Sequence, residues 1–461
     1  MGGNSIMTDS NFDNQQTDKD FSESEQSVPA ETSSQTGEPK KEPAFAKAMA
    51  GEEKKEPAVV FQVNGSFVLI DETGKEIELG QAKFILDEEK LSVFSESGKA
   101  ISLPLRDISD FFAQDYKIYL SFSGGGKIII SELGYQYEDF VRVFTKLRHE
   151  IIQKELLMKE GVKKTGFKGD YDYQKEGEKR FGKAEVEIYD TGLVIKPEQG
   201  DLIRIPYSEI TKLSDKDYKI SIITESGNLL LSHFGEKFDS LNKALKEVLA
   251  ELSLKAQEIL KEFLIELDPL TIKKASELLK DGRAVSKNKL DEISSKIWSG
   301  LEKELIKVGI KESYDHLKSL SKSEQVFLGI KRDLMGELTG EYIWFLVPIS
   351  SEKGGMFLVM EAASTIKGGG KATYFFKIPE GEDLDDLVKK INRCMLAINF
   401  RREPIYLKDE DLEKPDYSKY KIAISRIPEL KLLRQLFIGR VIHTSPENWK
   451  QNVNNLISQI N

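Results

Sequence analysis

Residues 80–120 read GQAKFILDEEKLSVFSESGKAISLPLRDISDFFAQDYKIYL, and residues 182–222 read GKAEVEIYDTGLVIKPEQGDLIRIPYSEITKLSDKDYKISI. The two stretches lie 102 positions apart and share 12 identities in 41 positions, more than chance provides. The longest identical run is Asp115-Tyr116-Lys117-Ile118, which returns as Asp217-Tyr218-Lys219-Ile220. The chain therefore contains two tandem copies of one domain.

Each copy has the pattern of a small antiparallel sheet followed by a helix. In the second copy, Ala184–Ile188 alternates aliphatic residues with glutamate, which is the period of a half-buried strand. The other strands are predicted at Lys168–Gln174, Leu193–Lys196, Leu202–Ile205, Ile210–Leu213, Tyr218–Thr224 and Asn228–Ser232. The apolar residues then fall at helical spacing from Phe238 to Leu267. The first copy matches, with strands between Ser66 and Ser131 and a helix from about Tyr137 to Lys159.

Seven short strands followed by a capping helix resemble the pleckstrin-homology-like barrel, including its GRAM-type and bacterial versions. The resemblance covers about residues 60–265 and depends on the order and length of the elements. It implies a curled, nearly closed antiparallel sheet whose open corner is filled by the helix. It also implies binding of a protein, a peptide or a lipid.

The chain divides into five segments with an α+β fold class overall. Residues 1–57 are poor in aliphatic residues and are predicted to be a disordered tail. Residues 60–160 and 162–267 are predicted to be the two pleckstrin-homology-like repeats, each a seven-stranded barrel with a C-terminal helix.

The remaining two segments follow the repeats. Residues 268–335 are predicted to be a helical linker or subdomain, because Asp268 precedes Pro269 as a helix cap and a second helix runs from Ser286 to Gly309. Residues 340–461 are predicted to be a C-terminal α+β domain with three strands, a helix and a mostly helical tail. A diverged third copy of the repeat is left open there.

The composition restricts the class of protein. The net charge of −10 argues against nucleic acid as a partner, since phosphate binding requires clustered lysine and arginine. The single cysteine, Cys394, excludes an intramolecular disulfide and fits a reducing compartment. The first 16 residues lack the pattern of a secretory signal, and no apolar run is long enough to span a membrane. We therefore expect a soluble cytoplasmic protein.

No catalytic or metal-binding motif is found, and we expect a protein without enzymatic activity, metal or cofactor. Residues 177–184 have the Gly-four-Gly-Lys spacing of a phosphate loop, but Ala184 replaces the required hydroxyl and a strand follows. The four histidines are scattered, and none stands at metal-ligand spacing with another.

A weak candidate for anion or lipid contact lies in the second repeat. In pleckstrin-homology-like domains the lipid site lies in the basic loop that follows the first strand. The matching positions here are Lys175, Lys179, Arg180 and Lys183. Glutamates at 176, 178 and 185 alternate with them and cancel much of the field.

We therefore expect a non-enzymatic scaffold that binds a protein or peptide partner through its tandem repeats, for example along an exposed sheet edge. A peripheral adaptor for anionic membranes is the alternative, and an enzyme with a site in residues 340–461 is a third. The partner remains unidentified, and an oligomer is left open.

Overall fold

The computed structural model describes residues 58–156, 161–175, 177–332, 341–351, 354–365 and 370–459. All of them belong to one compact unit. The predicted tail, residues 1–57, lies outside the described residues.

The first repeat is a seven-stranded antiparallel sheet followed by a helix. Its elements are β1 (Phe61–Ile70), β2 (Glu76–Leu86), β3 (Lys90–Ser95), β4 (Ala100–Pro104), β5 (Ile108–Gln114), β6 (Lys117–Phe122), β7 (Lys127–Ser131) and α1 (Tyr137–Glu155). The strand order is β4-β3-β2-β1-β7-β6-β5, so β4 and β5 form the two edges.

The second repeat has the same elements in the same order. They are β8 (Val162–Lys175), β9 (Glu178–Tyr189), β10 (Gly192–Pro197), β11 (Ile203–Pro206), β12 (Ile210–Lys216), β13 (Lys219–Thr224), β14 (Gly227–Ser232) and α2 (Phe238–Phe263). The order β11-β10-β9-β8-β14-β13-β12 places β11 and β12 at the edges. Two curled sheets, each followed by a helix, confirm the predicted pleckstrin-homology-like fold.

The repeated Asp-Tyr pair forms a hairpin turn in each repeat. Asp115 and Tyr116 have φ angles of 50° and 57°, and Asp217 and Tyr218 have 50° and 56°. Two consecutive residues with positive φ are characteristic of the type I′ turn that joins antiparallel strands. The prediction that the tyrosine belongs to the strand is wrong, because the strands begin at the following lysines.

Short helices follow the second repeat. They are α3 (Pro269–Leu278), α4 (Lys287–Asp291), α5 (Ser295–Val308) and α6 (Lys311–Leu320). The Asp268 cap is confirmed, because its carboxylate accepts hydrogen bonds from the backbone N–H groups of Leu270 and Thr271. The helix predicted from Ser286 to Gly309 is two helices, since Ser294 caps a new helix after a turn.

The third sheet contains six antiparallel strands. They are β15 (Val285–Ser286), β16 (Phe327–Lys331), β17 (Tyr342–Ser350), β18 (Met356–Ser364), β19 (Lys371–Lys377) and β20 (Phe437–Ile442). Their order in the sheet follows the chain, unlike the order in the repeats. Strand β20 lies within the tail that was predicted to be mostly helical.

Helices cover both faces of the third sheet. One face packs against the end of α2, helices α3, α5 and α6, and the C-terminal helix. The other packs against helices between β19 and β20. The helices between β19 and β20 are α7 (Leu384–Ala397), α8 (Glu403–Tyr406), α9 (Lys421–Arg426) and α10 (Pro428–Leu436), and the C-terminal helix is α11 (Pro446–Gln459).

Candidate functional site: a sheet edge and groove in the second repeat

A buried charge cluster joins the two repeats to the C-terminal part of the chain. Arg148 of α1 donates through Nε to Asp201 Oδ1 of the second repeat at 3.1 Å. Its Nη atoms donate to the carbonyls of Leu105 and Ile108 in its own repeat. Arg426 of α9 binds the same carboxylate and also donates to the Leu202 carbonyl. All three parts are therefore fixed around Asp201.

The carboxyl group of Asp201 is held in its charged form. Burial alone would raise its pKa, but the charges of Arg426 and Arg148 and their hydrogen bonds lower it below its ordinary value. Arginine remains protonated at any physiological pH. The cluster therefore carries two positive charges and one negative charge, and the carbonyls of Leu105, Ile108 and Leu202 accept further hydrogen bonds from the guanidinium groups.

The four sequence-predicted basic residues lie along the β8–β9 hairpin, and three of them face carboxylates. Lys175 lies 3.7 Å from Glu429, Lys179 lies 3.2 Å from Asp172, and Arg180 lies 3.1 Å from Glu178. Lys183 is exposed and lines a surface cavity of about 520 Å³ beside Asp170 and His233.

Two of these four residues meet in a central cleft of about 460 Å³ between the repeats and the C-terminal helices. Lys175 and Arg180 line it, whereas Lys179 and Lys183 do not. The cleft also contains other cations and several carboxylates, among them Glu209 and Glu429. Its charge is therefore mixed.

The two repeats differ at the edge strand that precedes the hairpin turn. In the first repeat, helix α9 lies against β5 and Lys421 binds Asp107, 3.2 Å away, just before that strand. In the second repeat, β12 pairs with β13 on one side and has no strand on the other within the described residues. Alternate backbone N–H and C=O groups of an edge strand point away from the sheet and can pair with an added strand.

An apolar groove of about 260 Å³ runs beside β12. Strand β12 contributes Ile210 and Leu213, and helix α2 contributes Leu249, Leu252 and Ala256. Helix α3 and the turn that follows it close the far side of the groove. The volume suits one or two apolar side chains rather than a whole drug-sized molecule.

Several polar residues also line the groove, among them Lys280 and Ser208. Lys280 Nζ donates to the Ile210 carbonyl at 3.2 Å, and burial together with the nearby Arg283 lowers the lysine pKa. Ser208 Oγ is buried and has no hydrogen-bond partner within the described residues. A ligand in the groove therefore meets an apolar floor with one unused hydroxyl group.

The groove depends on a position at which the repeats differ. Leu249 of α2 corresponds to Arg148 of α1, since both lie eleven residues after the first helical residue, Phe238 and Tyr137. In the first repeat the Arg148 guanidinium occupies the space beside the start of the edge strand. In the second repeat, leucine leaves an apolar groove at that place.

The described residues contain no group of three or more His, Cys, Asp or Glu side chains arranged to hold a metal ion. Within the same part of the chain, no helix is both long and apolar enough to cross a membrane. Residues 177–184 form the turn and first half of β9, with Gly177 at a φ of 89°.

The chain was compared with known families, curated proteins and solved structures. No model of a known protein family matches the chain, and no curated protein sequence matches it. The chain is similar to a solved structure described as "Structure of the Spt16D Pob3N heterodimer", with 16% sequence identity. The match covers 37% of this chain and 85% of that chain, with a TM-score of 0.16. A TM-score this low supports no conclusion about function, and the fold assignment depends on the strand order described above.

Proposed function

We propose that this chain is a non-enzymatic cytoplasmic scaffold whose second repeat binds an extended peptide segment of a partner protein along β12. The observation that carries the proposal is the coincidence of an unpaired sheet edge with an apolar groove beside it. Strand addition supplies affinity through main-chain hydrogen bonds, and a neighbouring pocket supplies side-chain specificity.

The groove restricts the chemistry of the partner. An added strand presents alternate side chains to one face, about 6.8 Å apart. One aliphatic or aromatic side chain then enters the space between Leu213 and Leu252. A hydroxyl or amide on the peptide gives Ser208 Oγ the partner it otherwise lacks.

The peptide proposal has more support than the anionic-membrane alternative. Three of the four candidate lipid contacts already face a carboxylate, as described above. An enzyme with a site in residues 340–461 also has less support, because both faces of that sheet are filled with apolar side chains. Assignment to the GRAM-type or bacterial versions of the fold remains part of the proposal.

Panning the full chain against a phage library of random 12-residue peptides tests this proposal. We expect enriched peptides with apolar residues at alternate positions. Ala256→Phe fills the groove and should abolish their binding, whereas Leu254→Phe changes an exposed residue of the same helix and should not. An absence of enriched peptides, or equal binding by the Ala256→Phe protein, would contradict the proposal.

A further inference from the structure

The outer face of the first repeat carries a continuous row of apolar side chains across five strands. Their pairing is direct: Leu79 with Val68, Val68 with Ile129, Ile129 with Tyr119, and Tyr119 with Phe112. We call these five residues the outer row. Leu79 and Phe112 at its ends are 65% and 47% exposed, and the rings of Phe112 and Tyr119 stack with centroids 4.4 Å apart.

The second repeat does not have this row. The same register contains Phe181, Asp172, Leu230, Ser221 and Ser214. Three of the five positions are therefore polar, although the fold is the same. Folding of the repeat does not require an apolar row on the outer face, so the row in the first repeat needs another explanation.

Charged residues of both signs lie on each side of the outer row. On one side, the exposed Glu132 carboxylate accepts hydrogen bonds from Ser66 and from Gln81, and Lys117 follows on β6. On the other side, Lys127 extends from β7 and Asp110 from β5, and both are exposed. Each side of the outer row thus carries one acidic and one basic residue.

We propose that the outer row is the contact surface between two copies of this chain. A two-fold axis along the middle of the row places its central residues on their own counterparts and exchanges the two flanking sides. Lys127 of each copy then faces Glu132 of the other, and Lys117 faces Ser121, which pairs with Asp110 at the rim of the central cleft. A surface that is complementary to itself in this way requires no second kind of partner.

The size of the face indicates a weak and reversible dimer. Five strands at about 4.8 Å and three rows of residues at about 6.8 Å give at most about 490 Å² on each copy, because the sheet is curled. A stable complex typically buries about 800 Å² on each partner. The association should therefore be visible at micromolar concentrations rather than nanomolar ones. It leaves the β12 groove free, so it is independent of peptide binding.

Sedimentation velocity of the full chain over a concentration series tests the dimer. We expect a monomer–dimer equilibrium that is weakened more than about tenfold in the double variant Phe112→Ser, Tyr119→Ser. The second repeat folds with serine at both equivalent positions, so this variant should fold. Phe181→Ser, which removes an exposed aromatic side chain from the outer face of the second repeat, should leave the dimer intact. A monomer at every concentration, or a dimer unaffected by the double variant, would overturn the proposal.

Two charge variants test the symmetry. Lys127→Glu and Glu132→Lys should each weaken self-association, because like charges then face one another. A mixture of the two variant chains should associate again, since every contact across the axis regains opposite charges. Failure of the mixture to associate would exclude this two-fold arrangement.

Discussion

Arg148 in the first repeat and Asp201 in the second form an ion pair in which the side chains are 0% and 3% exposed. Neither residue is matched by its own type in the other repeat, where Leu249 and Lys99 occupy the corresponding positions. A buried charge is costly unless it is paired and hydrogen-bonded. The pair therefore specifies one arrangement of the two repeats.

Replacing Arg148 with methionine should lower the free energy of unfolding by about 3 kcal/mol, because two backbone carbonyls lose their buried donor and Asp201 keeps only Arg426 as a charged partner. Arg142→Met is the matched control, since the Arg142–Asp139 pair on the same helix is 77% and 54% exposed. Such an exposed pair contributes about 1 kcal/mol at most. Thermal unfolding followed by circular dichroism measures both. Equal losses in the two variants would contradict this account of the cluster.

His149 should make the stability depend on pH near neutrality. Burial lowers its pKa below the ordinary value of 6.5, although its hydrogen bond to the Gly200 carbonyl at 2.8 Å acts in the opposite direction. Below pH 6.5, His149 is protonated in the unfolded chain but stays neutral in the folded chain until the pH reaches its lowered pKa. The contribution of His149 is therefore present above that pH and is lost as pH falls toward the folded pKa. The decrease in Tm from pH 7.5 to pH 5.5 should be smaller in His149→Gln than in the unmodified chain. An identical decrease in both would refute this role.

Thr373→Val should destabilise the C-terminal sheet. The Thr373 hydroxyl donates to Glu361 and accepts a hydrogen bond from Trp449 Nε1 at 2.8 Å, and all three side chains are buried. Valine leaves a carboxylate oxygen and an indole N–H without partners, at a cost of about 1–3 kcal/mol. Thr211→Val, at an exposed threonine, is the control and should have little effect. Denaturant unfolding that shows no difference between the two variants would argue against this network.

Anionic liposomes should not retain the full chain at physiological salt. Lys175, Lys179 and Arg180 face carboxylates, so little positive potential remains for a membrane surface. Co-sedimentation with vesicles of anionic lipid, at low and physiological salt, measures this directly. Binding that is lost on Lys179→Glu, Arg180→Glu would favour the membrane-adaptor alternative instead.

The repeats could be predicted because their pattern is local. The period-two alternation and the duplicated Asp-Tyr turn appear directly in the sequence, and neighbouring strands are joined by short turns. Strand β20 was missed because Phe437–Ile442 lies between helices, and its partner β19 is 60 residues earlier. Pairing over such a distance leaves no local signal.

The groove and the charge cluster could not be predicted, because both are made from residues far apart in the chain. The sequence does contain one indication of the charge cluster. Arg148 lies on the apolar face of α1, at helical spacing from Phe144 and Ile152. A charged residue at a core position indicates a buried partner, although the sequence does not identify Asp201 as that partner.

The difference between Arg148 and Leu249 gives the two copies of the domain different tasks. The first copy holds the other parts of the protein through its arginine, whereas the second has an apolar groove at the same helical position. Neither copy can replace the other, because exchanging them would put leucine opposite Asp201 and arginine inside the groove. The different roles of the two repeats thus depend on one helical position, Arg148 in α1 and Leu249 in α2, where selection should act differently on each copy.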